Sequence, residues 1–171
     1  DAYITDGTVT IAAGTNVVQD TLNTNAGTVA DINGTVTVDD LNNNGTTNIN
    51  DGSAVTADNI NNNAGTTNIN ETVKADNINS TGGTVNVNAY DGETRTSDLL
   101  KDKAGTGASD IYTGDSTTGT GTVAINTDSD NMTVDNNVTG DGTLALNGNA
   151  PALDPTEDPA DPSTKTDSNN V

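Results

Sequence analysis

The chain contains no cysteine, histidine, phenylalanine or tryptophan, and one methionine. Without cysteine it has neither a disulfide framework nor a thiolate metal site. Without histidine it lacks the side chain most often used as a general base near neutral pH and as a metal ligand. Three tyrosines are the only aromatic residues, so no core can be built on large aromatic volume. Basic residues are scarce as well: five Lys and Arg stand against 25 Asp and Glu, a net charge of -20. Phosphate backbones are held by clustered Lys and Arg, so nucleic acid is excluded as a partner, and anionic membrane surfaces for the same reason. No stretch approaches the ~20 consecutive apolar residues of a membrane-spanning helix. Hydrophobic residues make up 30 % of the 171-residue chain. Low hydrophobicity with high net charge ordinarily leaves a chain disordered.

What the chain does contain is a register. The text Gly-Thr-x-x-hydrophobic recurs from Gly7, Gly27 (with one extra residue), Gly45, Gly65, Gly83, Gly121 and Gly142. The spacings are 20, 18, 20, 18, 38 and 21. A second column keeps the same period. Val17 to Leu22 aligns with Val36 to Leu41, Val55 to Ile60 and Val73 to Ile78, and in weaker form with Thr94 to Leu99 and Met132 to Val138. A disordered chain has no reason to hold two apolar columns in step. A period near 19 with strand-type alternation is that of a solenoid, in which each repeat buries a few small apolar side chains against its neighbours. The expected fold is all-β: a single parallel β-helix over residues 1–149, about 19 residues per coil, with three short faces per coil. The 38-residue interval predicts one degenerate coil between Gly83 and Gly121.

In the copy beginning at Gly65, alternation places Thr67, Ile69, Val73, Ala75 and Ile78 inward and Thr66, Asn68, Thr72, Lys74 and Asn77 outward. Stacking should align Thr8, Thr28, Thr46, Thr66, Thr84, Thr122 and Thr143 in one ladder. Asn50, Asn70, Asn88, Asn126 and Asn147 should form another, with amides bonded along the stack. Residues 89–120 read as an irregular bulge, with one helical turn near Ser97 to Lys103. Residues 150–171, with Pro151, Pro155, Pro159 and Pro162 among acidic residues, read as an extended acidic linker, because proline cannot donate to a strand ladder. Asp1 to Asp6 reads as the tail of an earlier coil, so the chain is expected to be a piece or a processed form of something longer.

Chemistry-bearing residues are few. Asp20, Asp39, Asp58, Asp76 and Asp135 fall in one column. The plain reading is a solvated corner whose carboxylates accept turn N–H groups; the sharper one is calcium bridging between coils. Tyr90, Arg95, Lys101 and Tyr112 sit in the irregular section, the expected place for any specific contact, since loops on a rigid scaffold often carry one. Sequons at Asn33, Asn44, Asn70, Asn79, Asn131 and Asn137 follow from composition alone. No catalytic, cofactor-binding or metal-binding residues are assigned. Carboxylates occur in every coil, so no acid/base pair is singled out, and an enzyme acting on polysaccharide is a weaker reading than a rod or a fibre subunit. An ice-binding face would need Thr-x-Thr in each coil, and only Thr8 and Thr10 supply it.

The Gly-Thr-Val-x-Ile-Asn coils, rich in Asn, Thr, Asp and Gly, resemble the passenger domains of bacterial autotransporters and filamentous-haemagglutinin-type adhesins. The resemblance covers residues 1–149 and rests on period and residue style. It implies a right-handed parallel β-helix on the bacterial cell surface or secreted, a non-enzymatic rod acting by adhesion or self-association. Partners would be other copies, through coil ends or side ladders, or a host or neighbouring cell surface. The alternative is a subunit of a self-assembling extracellular fibre.

Overall fold

The structure is a computed structural model that describes residues 1–90, 92–129 and 131–148. The expected acidic linker at 150–171 lies outside the described residues. The first face of the solenoid is a seven-stranded parallel sheet. Its strands are Thr8–Ile11, Val29–Ile32, Thr46–Ile49, Thr66–Ile69, Thr84–Ala89, Thr122–Thr127 and Thr143–Gly148. The second and third faces begin as separate strands, Asn16–Val18 then Thr21–Thr24, and Thr35–Thr37 then Asp40–Asn43. In the next two coils they merge into the long strands Ala54–Asn62 and Val73–Ser80. Within each long strand the alternation skips once, at Asp58-Asn59 and at Asp76-Asn77, where two successive side chains escape full burial. That skip turns the chain from one face to the next without ending the hydrogen-bonded ladder.

Three interior columns make the core. Ile11, Ile32, Ile49, Ile69, Val87, Ile125 and Leu146 stack on the first face. Val17, Val36, Val55, Val73 and Leu100 stack on the second. Ala2, Leu22, Leu41, Ile60, Ile78, Ile111 and Val138 stack on the third. Each fully buried Val, Leu or Ile contributes roughly 1.5–3 kcal/mol, so a few per coil stabilise a thin fold that has no aromatic residue inside. The inward set expected for the Gly65 copy, Thr67, Ile69, Val73, Ala75 and Ile78, is buried as read, and its outward set is not.

Three expectations are corrected. First, no degenerate coil lies between Gly83 and Gly121. Thr84–Ala89 pairs directly with Thr122–Thr127, Thr84 beside Thr122 and Val87 beside Ile125. Between these strands the chain supplies one set of interior anchors, Leu100 and Ile111, which is enough for one turn and not two. The surplus leaves the coil as three outgrowths, around 90–99, 102–109 and 113–121. Second, Thr94 to Leu99 does not stack on Val73. Leu100 and Lys101 take that place, beside Val73 and Lys74. Thr94 to Leu99 instead forms a loop with one 3-10 turn, Thr96–Asp98, in which Arg95 bridges Thr133 in parallel. Third, Thr28 is not in the threonine ladder. Thr8 pairs with Val29, because the extra residue in that copy moves Thr28 to the corner. There its hydroxyl donates to Asn25 O at 2.8 Å and Ile4 O at 3.3 Å.

The corner glycines explain how closely the coils approach. Gly65 and Gly83 have φ of +83° and +69°, and a Cβ on either would run into the backbone carbonyl of the glycine one coil below. Only glycine serves where both conditions hold.

Candidate interaction surface

The first and third outward faces carry amide ladders, more of them than the sequence suggested. On the first face Asn86 donates to Asn68 (2.8 Å), Asn68 to Asn48 (2.8 Å) and Asn48 to the Asp31 carboxylate (2.7 Å). On the third face Asn79 donates to Asn61, Asn61 to Asn42 and Asn42 to Asn23, at 2.9, 2.9 and 3.0 Å. Beside it Asn77 donates to Asn59 and Asn59 to Asp40. The expected ladder after the first face runs unbroken from Asn147 through Asn126 and Asn88 to Asn70, at 2.9, 2.8 and 2.6 Å. Asn50 bonds separately to Asn33 at 3.2 Å. In all of these the later coil donates to the earlier one.

A polar column also runs inside. Asn43 and Asn62 are fully buried. Asn43 donates to Asn62 Oδ1, Thr66 O and Thr67 Oγ1, and Asn62 donates to Gly82 O at 2.6 Å. Each asparagine follows a core residue by two positions, Leu41 and Ile60, so alternation points it inward although its side chain is polar.

The aspartate column holds its backbone register from Asp20 to Asp76, and Asp135 leaves it. Asp39 N donates to Asp20 O and Asp58 N to Asp39 O. Its side chains do different work. The Lys103 ammonium pairs with Asp58 and the Lys103 N–H donates to Asp76 Oδ1 at 2.8 Å, so the 102–109 outgrowth folds back over two members. Among the described residues no three acidic side chains converge as a metal-binding group.

Asp135, by contrast, is a built anchor. It accepts the Ser97 hydroxyl at 2.6 Å, the Ser97 N–H at 2.9 Å, the Thr96 hydroxyl at 3.3 Å and Arg95 Nε–H at 2.8 Å. Partial burial pushes its carboxyl up, and the Ser97 hydroxyl and N–H with the Arg95 guanidinium outweigh that and hold it at about 2. Asn136 donates to Leu100 O and Ser109 O, clamping both ends of the 102–109 outgrowth. In the hairpin outgrowth, the Thr118 N–H, the Tyr112 hydroxyl and the Thr117 N–H hold Asp115 at about 2.

The four residues singled out in the irregular section therefore do not form one site. Arg95 is engaged by Asp135. Lys101 borders a polar cleft of about 330 Å³ shared with Ser97, Asp98 and Asp135. Tyr112 leans on Thr118, its hydroxyl 3.3 Å from Oγ1. Tyr90 stands apart, 54 % exposed, at the end of Thr84–Ala89 beside the ladder that runs from Asn70 to Asn147. Clefts of about 350 and 150 Å³ flank it, the first lined by Asn50, Asp51, Asn70 and Asn88, the second by Asn126, Thr127, Asn147 and Gly148. Among the described residues no helix is long and apolar enough to cross a membrane. No family model, no curated protein and no solved structure matches this chain.

Proposed function

We propose that this chain is a segment of a non-enzymatic, extracellular rod of a bacterial surface protein, acting by adhesion or self-association. The observation that carries this reading is the repetition of amide ladders along the first and third outward faces of the stack. Such a surface offers many equivalent weak contacts along an axis. Resemblance of the coils to autotransporter and filamentous-haemagglutinin-type passengers supports the bacterial surface as its place. The test is retention of beads coated with the purified chain on layers of cells and on bare glass, against beads coated with an unrelated acidic protein. Retention above the control supports the reading, and equal retention on every surface overturns its adhesive half.

A second reading, a subunit of a self-assembling fibre, is favoured by one match. The outer strands of the first-face sheet carry the same pattern, Thr8-Val9-Thr10-Ile11 and Thr143-Leu144-Ala145-Leu146, and Val9 and Leu146 are exposed at 42 % and 39 %. A second copy stacked in register would cover both, since unpaired strand edges accept further strands. Micrographs at rising concentration separate the two readings: lengthening filaments favour the fibre, and rods of constant length favour the stalk.

A further inference from the structure

We propose that the groove along the Asn70–Asn88–Asn126–Asn147 ladder, with Tyr90 standing at its middle, binds an extended neutral polysaccharide. This rests on the adhesive reading and names the ligand for it. Three observations carry it.

The first is hydrogen-bonding capacity. A side-chain amide has two N–H donors and a carbonyl with two lone pairs. In this ladder Asn88 and Asn126 each give one N–H to the coil before and accept one from the coil after. Among the described residues each keeps one donor and one lone pair without a partner. A hydroxyl both donates and accepts, so a hydroxylated chain lying along the ladder matches it at every coil. The second is Tyr90. Its exposed ring, beside the polar row, offers a flat apolar face with a polar tip. Clefts open on both sides of it, as a straddled, elongated ligand requires.

The third is what the site rejects. The chain carries a net charge of -20, and Asp51 lines the larger cleft, so polyanions are repelled. A peptide adding to a strand edge needs free backbone groups. Here Thr66–Ile69, Thr84–Ala89 and Thr122–Thr127, the strands beside Tyr90, are paired on both sides; Thr143–Gly148, which carries Asn147, is an edge strand, but its open side faces away from the rest of the ladder. A neutral chain of hydroxyls fits the ladder, the ring and the charge together.

The experiment uses the whole 171-residue chain. Binding is read by titration calorimetry, because Tyr90→Ala and Tyr90→Phe remove the tyrosine whose fluorescence would otherwise report on the groove; Tyr3 and Tyr112 stay in both variants. Neutral hexasaccharides (cellohexaose, maltohexaose, xylohexaose and mannohexaose) are titrated singly, with a polygalacturonate hexamer and gelatin peptides as comparators. The expected result is saturable binding of at least one neutral hexasaccharide. Binding should weaken about tenfold or more in Tyr90→Ala, as truncation of an aromatic anchor does, and stay near the parent value in Tyr90→Phe and Tyr3→Ala. Asn126→Ala, at the ladder's centre, should weaken binding while circular dichroism shows the coil intact. Binding by none of the neutral chains overturns the proposal, as does binding that Tyr90→Ala leaves unchanged, or tighter binding of gelatin peptides or the acidic hexamer. Bead retention keeps the two readings apart. Retention that Tyr90→Ala does not alter overturns the groove and leaves adhesion standing; saccharide binding without bead retention overturns adhesion and leaves the groove.

Discussion

Arg95 and Asp135 lie 40 residues apart in sequence, yet the Asp135 carboxylate takes the Arg95 Nε–H at 2.8 Å and a guanidinium nitrogen at the same distance. This contact fastens the loop at 90–99 to the coil that follows it. Ser97 supplies two of the other hydrogen bonds. Replacing Asp135 with Asn should cost about 1–3 kcal/mol, because partly buried Ser97 and Thr96 donors lose a charged acceptor. Arg95→Met should cost under ~1 kcal/mol, since the guanidinium is 58 % exposed and solvent screens it. Urea unfolding of both variants checks the order.

The same carboxylate gives the pH dependence a sign. Its folded value, about 2, lies below the ordinary aspartate value of 3.8. The unfolded state therefore binds the proton more readily, and the stabilisation is fully present above about pH 4. It is lost as pH falls from there through 2. Asp135→Asn should flatten the stability curve over that window, measured by thermal unfolding at pH 2 to 5 in constant salt.

Direction in the amide ladders predicts an asymmetry between two exchanges. Asp31 ends its ladder as an acceptor only, taking the Asn48 N–H at 2.7 Å. Asp31→Asn keeps a carbonyl in that place and should change stability by less than ~0.5 kcal/mol. Asn68→Asp removes the donor to Asn48 while placing a half-buried charge between two amides, and should cost about 1–3 kcal/mol at neutral pH. Equal effects in the two variants would mean that the ladder has no direction.

Two glycines with similar φ should behave differently. Gly83→Ala meets both an unfavourable φ and the Gly65 carbonyl, whereas Gly52→Ala, at φ +76°, meets nothing within 4 Å. The first should cost roughly 3 kcal/mol or more and the second about 1 kcal/mol. Thermal unfolding of the pair isolates the cost of close coil approach from that of backbone conformation.

The 102–109 outgrowth should be removable. In the coil below, Ala75-Asp76 occupies the interval that residues 102–109 fill here, because Lys74 stands beside Lys101 and Asn77 beside Asp110. Replacing 102–109 with Ala-Asp restores the short interval. The variant should keep its β-sheet circular dichroism and lose no more than ~1 kcal/mol, since the Lys103–Asp58 pair it deletes is about 40 % exposed on each side and such pairs contribute little.

Much of the architecture was legible because a solenoid repeats its evidence. The Val17 to Leu22 column and its copies through Val73 to Ile78 pair as aligned. Thr28 was misplaced because an added residue at a corner shifts a ladder without altering its composition. The 38-residue interval was misread because spacing counts residues, while a coil is defined by its anchors, and Leu100 and Ile111 are anchors for one turn. The buried Asn43 and Asn62 lie two residues past Leu41 and Ile60, so alternation points them inward; reading asparagine as an outward residue passes them over. Tyr90 was visible as a candidate, but its place beside the Asn88 ladder follows only once Thr84–Ala89 is seen to lie directly on Thr122–Thr127.

All three outgrowths leave from a single turn, and the turns below and above it remain in register across that swelling. The molecule thus divides its freedom to vary. Interior columns, blocked glycine corners and the buried roots of the outgrowths tolerate almost no substitution, while their outer parts, 92–94, 104–107 and 116–118, can be lengthened, shortened or rewritten with little risk to the stack. A lineage carrying this fold could acquire a new surface specificity by splicing at those three seams, with no need to redesign the rod that displays it.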